Sequence, residues 1–399
     1  MAMFRMSDSP ISVFLNKTYH RSDKACFDFA NKEASTRVAR FHQSLPAYCP
    51  TPLVNLPVLA NKLGLTSIQV KDESKRFDLN AFKGLGASYA MAHYLAVKVG
   101  LPLDEILFDS ILNKKALYQD LTFVTATDGN HGRAVAWSAQ NFGCNSVVFM
   151  PKGSSLARLE AIQSYGAQAE IFSANYDDTV RHASRMAEKN GWILLQDTAW
   201  KGYELIPETI MQGYLSLMSE CSFDVENWPS HVMVQAGVGS LPAAILASIN
   251  NSRDYPLPKF IVVEPLGAAC LFESMKRAKG KPYKIDGDLP TIMAGLACGE
   301  PSTIALDILK RSASTFVKCD DEISKIGMRL MAKPFGSDPE IISGESGAVT
   351  LGLLYELLNN EKYKQQCSEL ALNRQSRVLL FSTEGDTDKQ VYLDIVHPS

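Results

Sequence analysis

From Ser67 onward, short runs of β-branched and aliphatic residues alternate with longer stretches patterned as amphipathic helices. The short runs predict strands at Ser67–Lys71, Thr122–Thr125, Ser146–Met150, Gln168–Phe172, Trp192–Leu195, His231–Gln235, Lys259–Glu264 and Arg377–Ser382. Most are followed by a turn and a helical pattern, which is the order of βαβ units and of a mainly parallel sheet. Gly143 and Gly166 stand where a left-handed residue ends a helix, and Pro207 suits a first helical turn. Right-handed crossovers then follow. Four of the strands fall between Gly86 and Gln196, flanked by segments that must pack elsewhere. This predicts a small inserted α/β domain at 86–196 and a large discontinuous domain built from 1–85 and 197–399. Gly280–Pro290, the least patterned stretch, reads as a surface loop.

Composition narrows the function classes. A chain of 399 residues suits two domains with a cleft between them, where small-molecule chemistry usually sits. With 46% hydrophobic and 21% charged residues it matches an average globular chain. Its 40 basic and 43 acidic side chains leave a net charge of −3, so nucleic acid is not an expected partner. Met1–Lys17 lacks a charged-then-apolar signal pattern, and the most apolar stretches, such as Leu241–Ile249, are roughly half the length of a bilayer span. The expectation is a cytoplasmic protein with no membrane partner. Cys26, Cys49, Cys144, Cys221, Cys270, Cys298, Cys319 and Cys367 show no C-x-x-C spacing and the seven histidines no H-x-x-x-H pair, so neither a metal site nor a disulfide scaffold is expected.

Three segments carry candidate chemistry. In V-K-D-E-S-K-R-F-D-L-N-A-F-K-G, Asn80 is a suitable N-cap for a helix whose third residue is Lys83. A helix start disfavours an ammonium, so the pKa of Lys83 is expected to fall and its amine to become a nucleophile. Lys71, Lys75 and Arg76, interleaved with Asp72 and Glu73, read as a solvated loop. In A-T-D-G-N-H-G-R, a turn at Gly129 precedes a helix opening near His131, and its backbone N–H groups can hold a carboxylate. In A-G-V-G-S-L-P, Gly237, Val238 and Gly239 can wrap an anion, Ser240 can donate a hydroxyl hydrogen bond and Pro242 begins a helix. Pro242 at the third glycine position rules out a dinucleotide fingerprint, and no Walker lysine follows.

The order N-A-F-K-G, T-D-G-N-H-G, Q-A-G-V-G-S resembles the fold-type-II, tryptophan-synthase-β-like enzymes that use pyridoxal 5′-phosphate (PLP). Six longer blocks, K-D-E-S-K-R-F-D-L-N-A-F-K, T-D-G-N-H-G-R-A-V-A-W, Q-D-T-A-W, I-M-A-G-L-A-C-G-E-P, I-I-S-G-E-S-G-A-V and S-T-E-G-D-T-D, resemble the diaminopropionate ammonia-lyases. The resemblance implies a two-lobed α/β fold of mainly parallel twisted sheets flanked by helices, with the active site between the lobes, and a homodimer. It implies Lys83 as the Schiff-base lysine, Asn130 on the cofactor's 3′-oxygen, Gly237–Ser240 on its phosphate and either Ser382 or Thr383 at the pyridine nitrogen.

Asp128 stands where dehydratases and racemases of this fold commonly have serine. A carboxylate there is the better general base near neutral pH and can attract a substrate ammonium. Asp197, after the strand Trp192–Leu195, could reach the same cleft. The expected reaction is α,β-elimination of D- and L-2,3-diaminopropionate to pyruvate and two ammonia. Lys83 and Asp128 would act as bases on opposite faces of the cofactor, with Asp197 holding the side-chain ammonium or protonating the leaving amine. Asp128 as a mere turn former and Asp197 as a helix cap are the bland alternatives. Rival functions are a serine or threonine dehydratase of the same fold, and a non-catalytic small-ligand-binding α/β protein in which Lys83 is structural.

Overall fold

The computed structural model describes residues 10–22, 25–46 and 48–398. The first nine residues, on which part of the Met1–Lys17 reading rests, lie outside them. In chain order the strands are β1 (Ile11–Leu15), β2 (Leu53–Asn55), β3 (Ser67–Asp72), β4 (Thr122–Ala126), β5 (Asn145–Met150), β6 (Gln168–Ile171), β7 (Ile193–Leu194), β8 (His231–Gln235), β9 (Lys259–Pro265), β10 (Thr315–Cys319) and β11 (Arg377–Ser382). Every expected strand is present, with each end within one residue of its expected position. The additions are β1, β2 and β10. β1 and β2 pair antiparallel at the two edges of the large sheet, and β10 carries the charged Lys318 through an otherwise uncharged run.

The strands form two sheets, one ordered β1-β10-β9-β8-β11-β3-β2 and the other β6-β5-β4-β7. Pairing is parallel throughout the smaller sheet and between β10, β9, β8, β11 and β3 of the larger. All strands of the smaller sheet lie inside 86–196. Parallel strands with both faces covered need near-continuous apolar sequence, and β8 is buried along its whole length. Alternate side chains serve opposite layers. Val232, Val234, Phe260 and Val262 pack with the helices that contain Leu85–Ala96 and Leu241–Ile249. Met233, Ile261 and Val263 pack with Val349–Leu357 on the other face.

Lys83 is the first residue of the helix Lys83–Lys98, not its third. Phe82 occupies the cap without a side-chain hydrogen bond, and Asn80 takes the left-handed conformation (φ 51°), so the expected Asn80 cap is not formed. The helix is held instead by close packing. A Cβ on Gly213 would stand 2.4 Å from the Leu85 carbonyl oxygen, and one on Gly86 would stand 2.6 Å from the Tyr214 ring. Only glycine at both positions lets the helices Lys83–Lys98 and Leu205–Gly213 approach this closely.

Of the segment read as a solvated loop, Lys75 is exposed and Asp72 half-buried, but the other charged residues are buried. Lys71, Glu73 and Arg76 have no exposed surface. Arg76 donates to Glu73 at 2.7 Å and to Glu220 at 2.6 Å, and Lys71 donates to Glu220 at 2.5 Å and to the Thr51 carbonyl at 2.6 Å. Two cations thus meet two carboxylates. Burial opposes ionisation of Glu220, but Arg76 and Lys71 hold its pKa down at about 2. Glu220 lies 144 positions from Arg76, so no local sequence pattern could reveal it.

Removing one member of such a network leaves a buried charge without its partner. Glu220→Ala is expected to cost about 3–5 kcal/mol, against about 0–1 kcal/mol for Glu322→Ala in the exposed Lys325–Glu322 pair. Urea denaturation of the two variants measures the difference.

Candidate active site

The C-terminal ends of parallel strands are where α/β folds bind ligands, because the loops that leave them can diverge into a crevice. Here β3 runs on to Lys83, β4 to Asp128, β8 to Gly237–Ser240 and β11 to Thr383. All these residues line one cleft, together with Asp197, His131, Tyr176 and Gln235. Among the described residues, no cluster of three or more His, Cys, Asp or Glu side chains could hold a metal ion, and no helix is long and apolar enough to cross a membrane.

The glycine loop follows from its backbone. Gly239 has φ 101°, which a residue with a Cβ adopts only under strain, and it turns the chain into the helix Ser240–Asn251. The N–H groups of that first helical turn have no partner within the helix and lie beside the cleft, which suits them to an anion. A Cβ on Gly237 would lie 3.0 Å from Cys298 Sγ, so the loop has no room for a larger residue. Cys298 and Cys270 are both free thiols. The Ser240 hydroxyl donates to the Asp197 carbonyl at 2.6 Å, so in this structure it fixes the loop and is not free to donate to an anion. Pro242 sits in the first turn of the helix that Ser240 begins.

Lys83 Nζ donates to Asp197 Oδ2 in a short ion pair. Burial alone would lower the lysine pKa, but the Asp197 carboxylate outweighs it and holds the ammonium above its usual range. The expected fall does not occur. Burial likewise opposes ionisation of Asp197, yet the Lys83 ammonium holds it below the usual carboxylate range. Tyr176 donates to the other Asp197 oxygen at 3.4 Å and itself accepts from Gln196 Nε2 at 3.1 Å. His131 Nε2 lies 2.8 Å from the Leu195 carbonyl, which can only accept, so the proton sits on Nε2. That leaves Nδ1 as a buried acceptor 4.0 Å from Asp197.

Asp128 differs from Asp197. Burial pushes its pKa up to about 6, with Arg158 and Lys83 only partly offsetting the rise. Two expected residues are not on the cleft wall. Asn130 donates its Nδ2 to Glu384 Oε2, and Ser382 donates to Ser343 Oγ at 2.8 Å. Thr383 is therefore the hydroxyl at the end of β11 that faces the cleft.

Gln235, Tyr176 and His131 were not singled out as site residues by sequence. Gln235 carries a signal, as the one polar residue besides its first that ends the apolar run of β8. Tyr176 carries none, since it opens the helix Tyr176–Asn190 far from any glycine loop. Gln235 Oε1 and His131 Nδ1 are buried polar atoms without a protein partner, and both residues line the cleft. An ammonium, an anion-binding helix start, a hydroxyl and two unpaired polar atoms in one cleft fit a phosphorylated aldehyde such as PLP.

A family model described as "Pyridoxal-phosphate dependent enzyme" matches residues 45–371. The chain is 48% identical over 379 residues to the diaminopropionate ammonia-lyase of Salmonella typhimurium (strain LT2), covering 93% of this chain and 94% of that protein. It also matches crystal structures of the diaminopropionate ammonia-lyase from Escherichia coli. One, in complex with an aminoacrylate-PLP azomethine reaction intermediate, has a TM-score of 0.87 at 41% identity and 97% coverage of both chains. Another, in complex with D-serine, has a TM-score of 0.87 at 40% identity and 97% coverage of both chains.

The ion pair makes a checkable statement about Lys83. Asp197→Asn removes the charge that keeps the ammonium protonated, so burial then lowers the lysine pKa. In the apoprotein, labelling of Lys83 by an amine-selective reagent, read by mass spectrometry, is expected to begin at a lower pH in Asp197→Asn than in the parent. An unchanged midpoint would show that Asp197 does not govern Lys83.

Proposed function

The chain belongs to the diaminopropionate ammonia-lyases within the pyridoxal-phosphate dependent enzymes, and we propose that it converts D- and L-2,3-diaminopropionate to pyruvate and two ammonia. The observation that carries this reading is that Lys83 and Asp128 line one cleft, the lysine paired to a second carboxylate and Asp128 titrating at about 6.

Lys83 and the Gly237–Ser240 loop would hold the cofactor, and Thr383 would meet its ring nitrogen. PLP supplies the carbonyl that takes up the substrate's α-amine and the electron sink for the charge left by the α-proton. The residues of the chain do the rest. Enantiomers held by the same carboxylate and amine contacts present their α-protons to opposite sides, so one base cannot serve both. Lys83, which would be a neutral amine once the substrate's α-amine displaces it from the cofactor's carbonyl, would take the proton of the L isomer, and Asp128 that of the D isomer. The electron pair released forms a carbon–carbon double bond as the β carbon–nitrogen bond breaks, and the β-amine leaves as ammonia. The aminoacrylate released takes up water to give pyruvate and the second ammonia.

Of the two roles open to Asp197, holding the substrate's side-chain ammonium fits its electrostatics. A carboxylate held below its usual range is a poor proton donor. We place the cleft between a lobe spanning 86–196 and the remainder of the chain. A cytoplasmic homodimer is the assembly we propose, since closed two-fold dimers are the commonest soluble oligomers. Light scattering tests the mass.

The protein should be yellow, with an absorbance that borohydride bleaches and that Lys83→Ala lacks. Asp128→Asn should retain that absorbance and L-isomer turnover while D-isomer turnover drops by about 10²-fold or more. Because Asp128 must be ionised to accept a proton, kcat/KM for the D isomer should fall as pH drops below about 6, the pKa of this group. Equal loss of both isomers in Asp128→Asn would remove the division between the two bases. Pyruvate or 2-oxobutyrate release from serine and threonine, offered in the same assay, measures the competing dehydratase activity.

A further inference from the structure

Gln235 ends β8 and is only 1% exposed. Its Nε2 lies 2.9 Å from the Phe381 carbonyl, 3.3 Å from the Gly347 carbonyl and 2.8 Å from Thr383 Oγ1. Amide nitrogen and oxygen look alike in shape, so the orientation has to be argued from what surrounds them. Two of the three neighbours are backbone carbonyls, which can only accept. Turning the amide over would set oxygen against two carbonyl oxygens, neither of which can donate, so the nitrogen must face them.

This orientation fixes the threonine. With an N–H pointing at Oγ1, the Thr383 hydroxyl is an acceptor on that side. Its single proton must go elsewhere, and among the described residues no protein atom accepts it. Thr383 lines the cleft, whereas the neighbouring hydroxyl of Ser382 is spent on Ser343.

Resting on the PLP reading above, we propose that Gln235 is a positioning residue that makes the Thr383 hydroxyl a hydrogen-bond donor to the cofactor's ring nitrogen and so keeps that nitrogen unprotonated. The chemical consequence concerns the choice between two outcomes. A neutral ring draws in less of the charge left at the α-carbon, so that charge goes into expelling the β-amine and is not returned as a proton at the wrong carbon. Gln235 thereby favours elimination over transamination without touching the substrate.

The isosteric Gln235→Glu reverses the polarity. Between two carbonyls a buried carboxyl group keeps its proton and donates it to one of them, while the same oxygen accepts the Thr383 proton. Thr383 then turns a lone pair toward the ring nitrogen, which must take up a proton to be satisfied.

The test is nitrogen NMR on protein reconstituted with PLP carrying ¹⁵N in its ring. The parent is expected to show an unprotonated, hydrogen-bonded nitrogen at neutral pH. Gln235→Glu is expected to move the signal to the protonated position, to lower kcat about tenfold with little change in KM, and to accumulate the aminated cofactor during turnover. Thr383→Val, which adds no buried charge, is expected to shift the signal to that of a nitrogen without a hydrogen-bond donor, and it decides the matter if Gln235→Glu does not fold. A protonated nitrogen in the parent overturns the assignment, as does an unmoved signal in Thr383→Val or in folded Gln235→Glu. Those results leave elimination activity standing. A chain that takes up no labelled PLP overturns the functional reading, and the proposal with it.

Discussion

Between Lys71 and Lys83 the chain buries two cations and partly buries a third within thirteen positions, and the cost of taking charge out of water decides how the neighbouring structure must be built. An uncompensated buried ammonium or guanidinium costs several kcal/mol even after relaxation. Lys71 and Arg76 are compensated by Glu73 and Glu220, and Lys83 by Asp197. Glu73 alone is local. Glu220 follows the helix Ser216–Ser219, and Asp197 follows β7 of the smaller sheet. The segment that carries Lys83 can therefore reach its final form only when elements of both sheets are in place. That dependence ties the position of the lysine to the assembly of the whole chain and not to the strength of a local helix cap.

The same constraint explains where sequence reasoning worked and where it failed. Strand positions were legible because parallel strands covered on both faces need apolar runs of a definite length, and β8 and β9 supply them. The site loops were legible because a lysine and two glycine turns stand directly after such runs. The ionisation of Lys83 was not legible. A helix start is worth about 0.3–1 kcal/mol to an exposed charge, whereas an opposite charge in contact shifts a pKa by about 1–3 units, or about 1.4 kcal/mol each. The larger effect belongs to Asp197, 114 positions away, and a sequence does not print its distances. The reading of Lys71 and Arg76 as solvated failed for the same reason. Charges interleaved along a chain look like a surface loop until the distant carboxylate is known.

Hydrogen bonds carried information that residue types could not. Ser382 and Thr383 are equivalent as sequence, adjacent hydroxyls at the end of one strand. In the structure Ser382 spends its proton on Ser343, while Thr383 receives one from Gln235 and keeps its own. Ser240 is a comparable case. Its hydroxyl, suited by type to an anion, is given to the Asp197 carbonyl, and the loop's anion-binding capacity then rests on backbone N–H groups alone.

Two aspartates in one cleft would be redundant if they titrated alike. Asp197 lies against an ammonium, which holds it ionised; Asp128 is buried with weaker compensation, which moves it up to about 6. Identical groups separated in pKa by their surroundings can divide the work of holding charge and moving protons. Asp197 is suited to the first task, because a carboxylate that resists protonation keeps its charge through a reaction cycle. Asp128 is suited to the second, because a proton it accepts near neutral pH it can also give back. A serine at position 128 could perform neither task at that pH, since its hydroxyl neither carries charge nor accepts a proton readily. In the reaction we propose, the aspartate in T-D-G-N-H-G is the departure from a dehydratase-like turn that would add a second base, and the Lys83–Asp197 pair keeps Asp197 chemically distinct from Asp128.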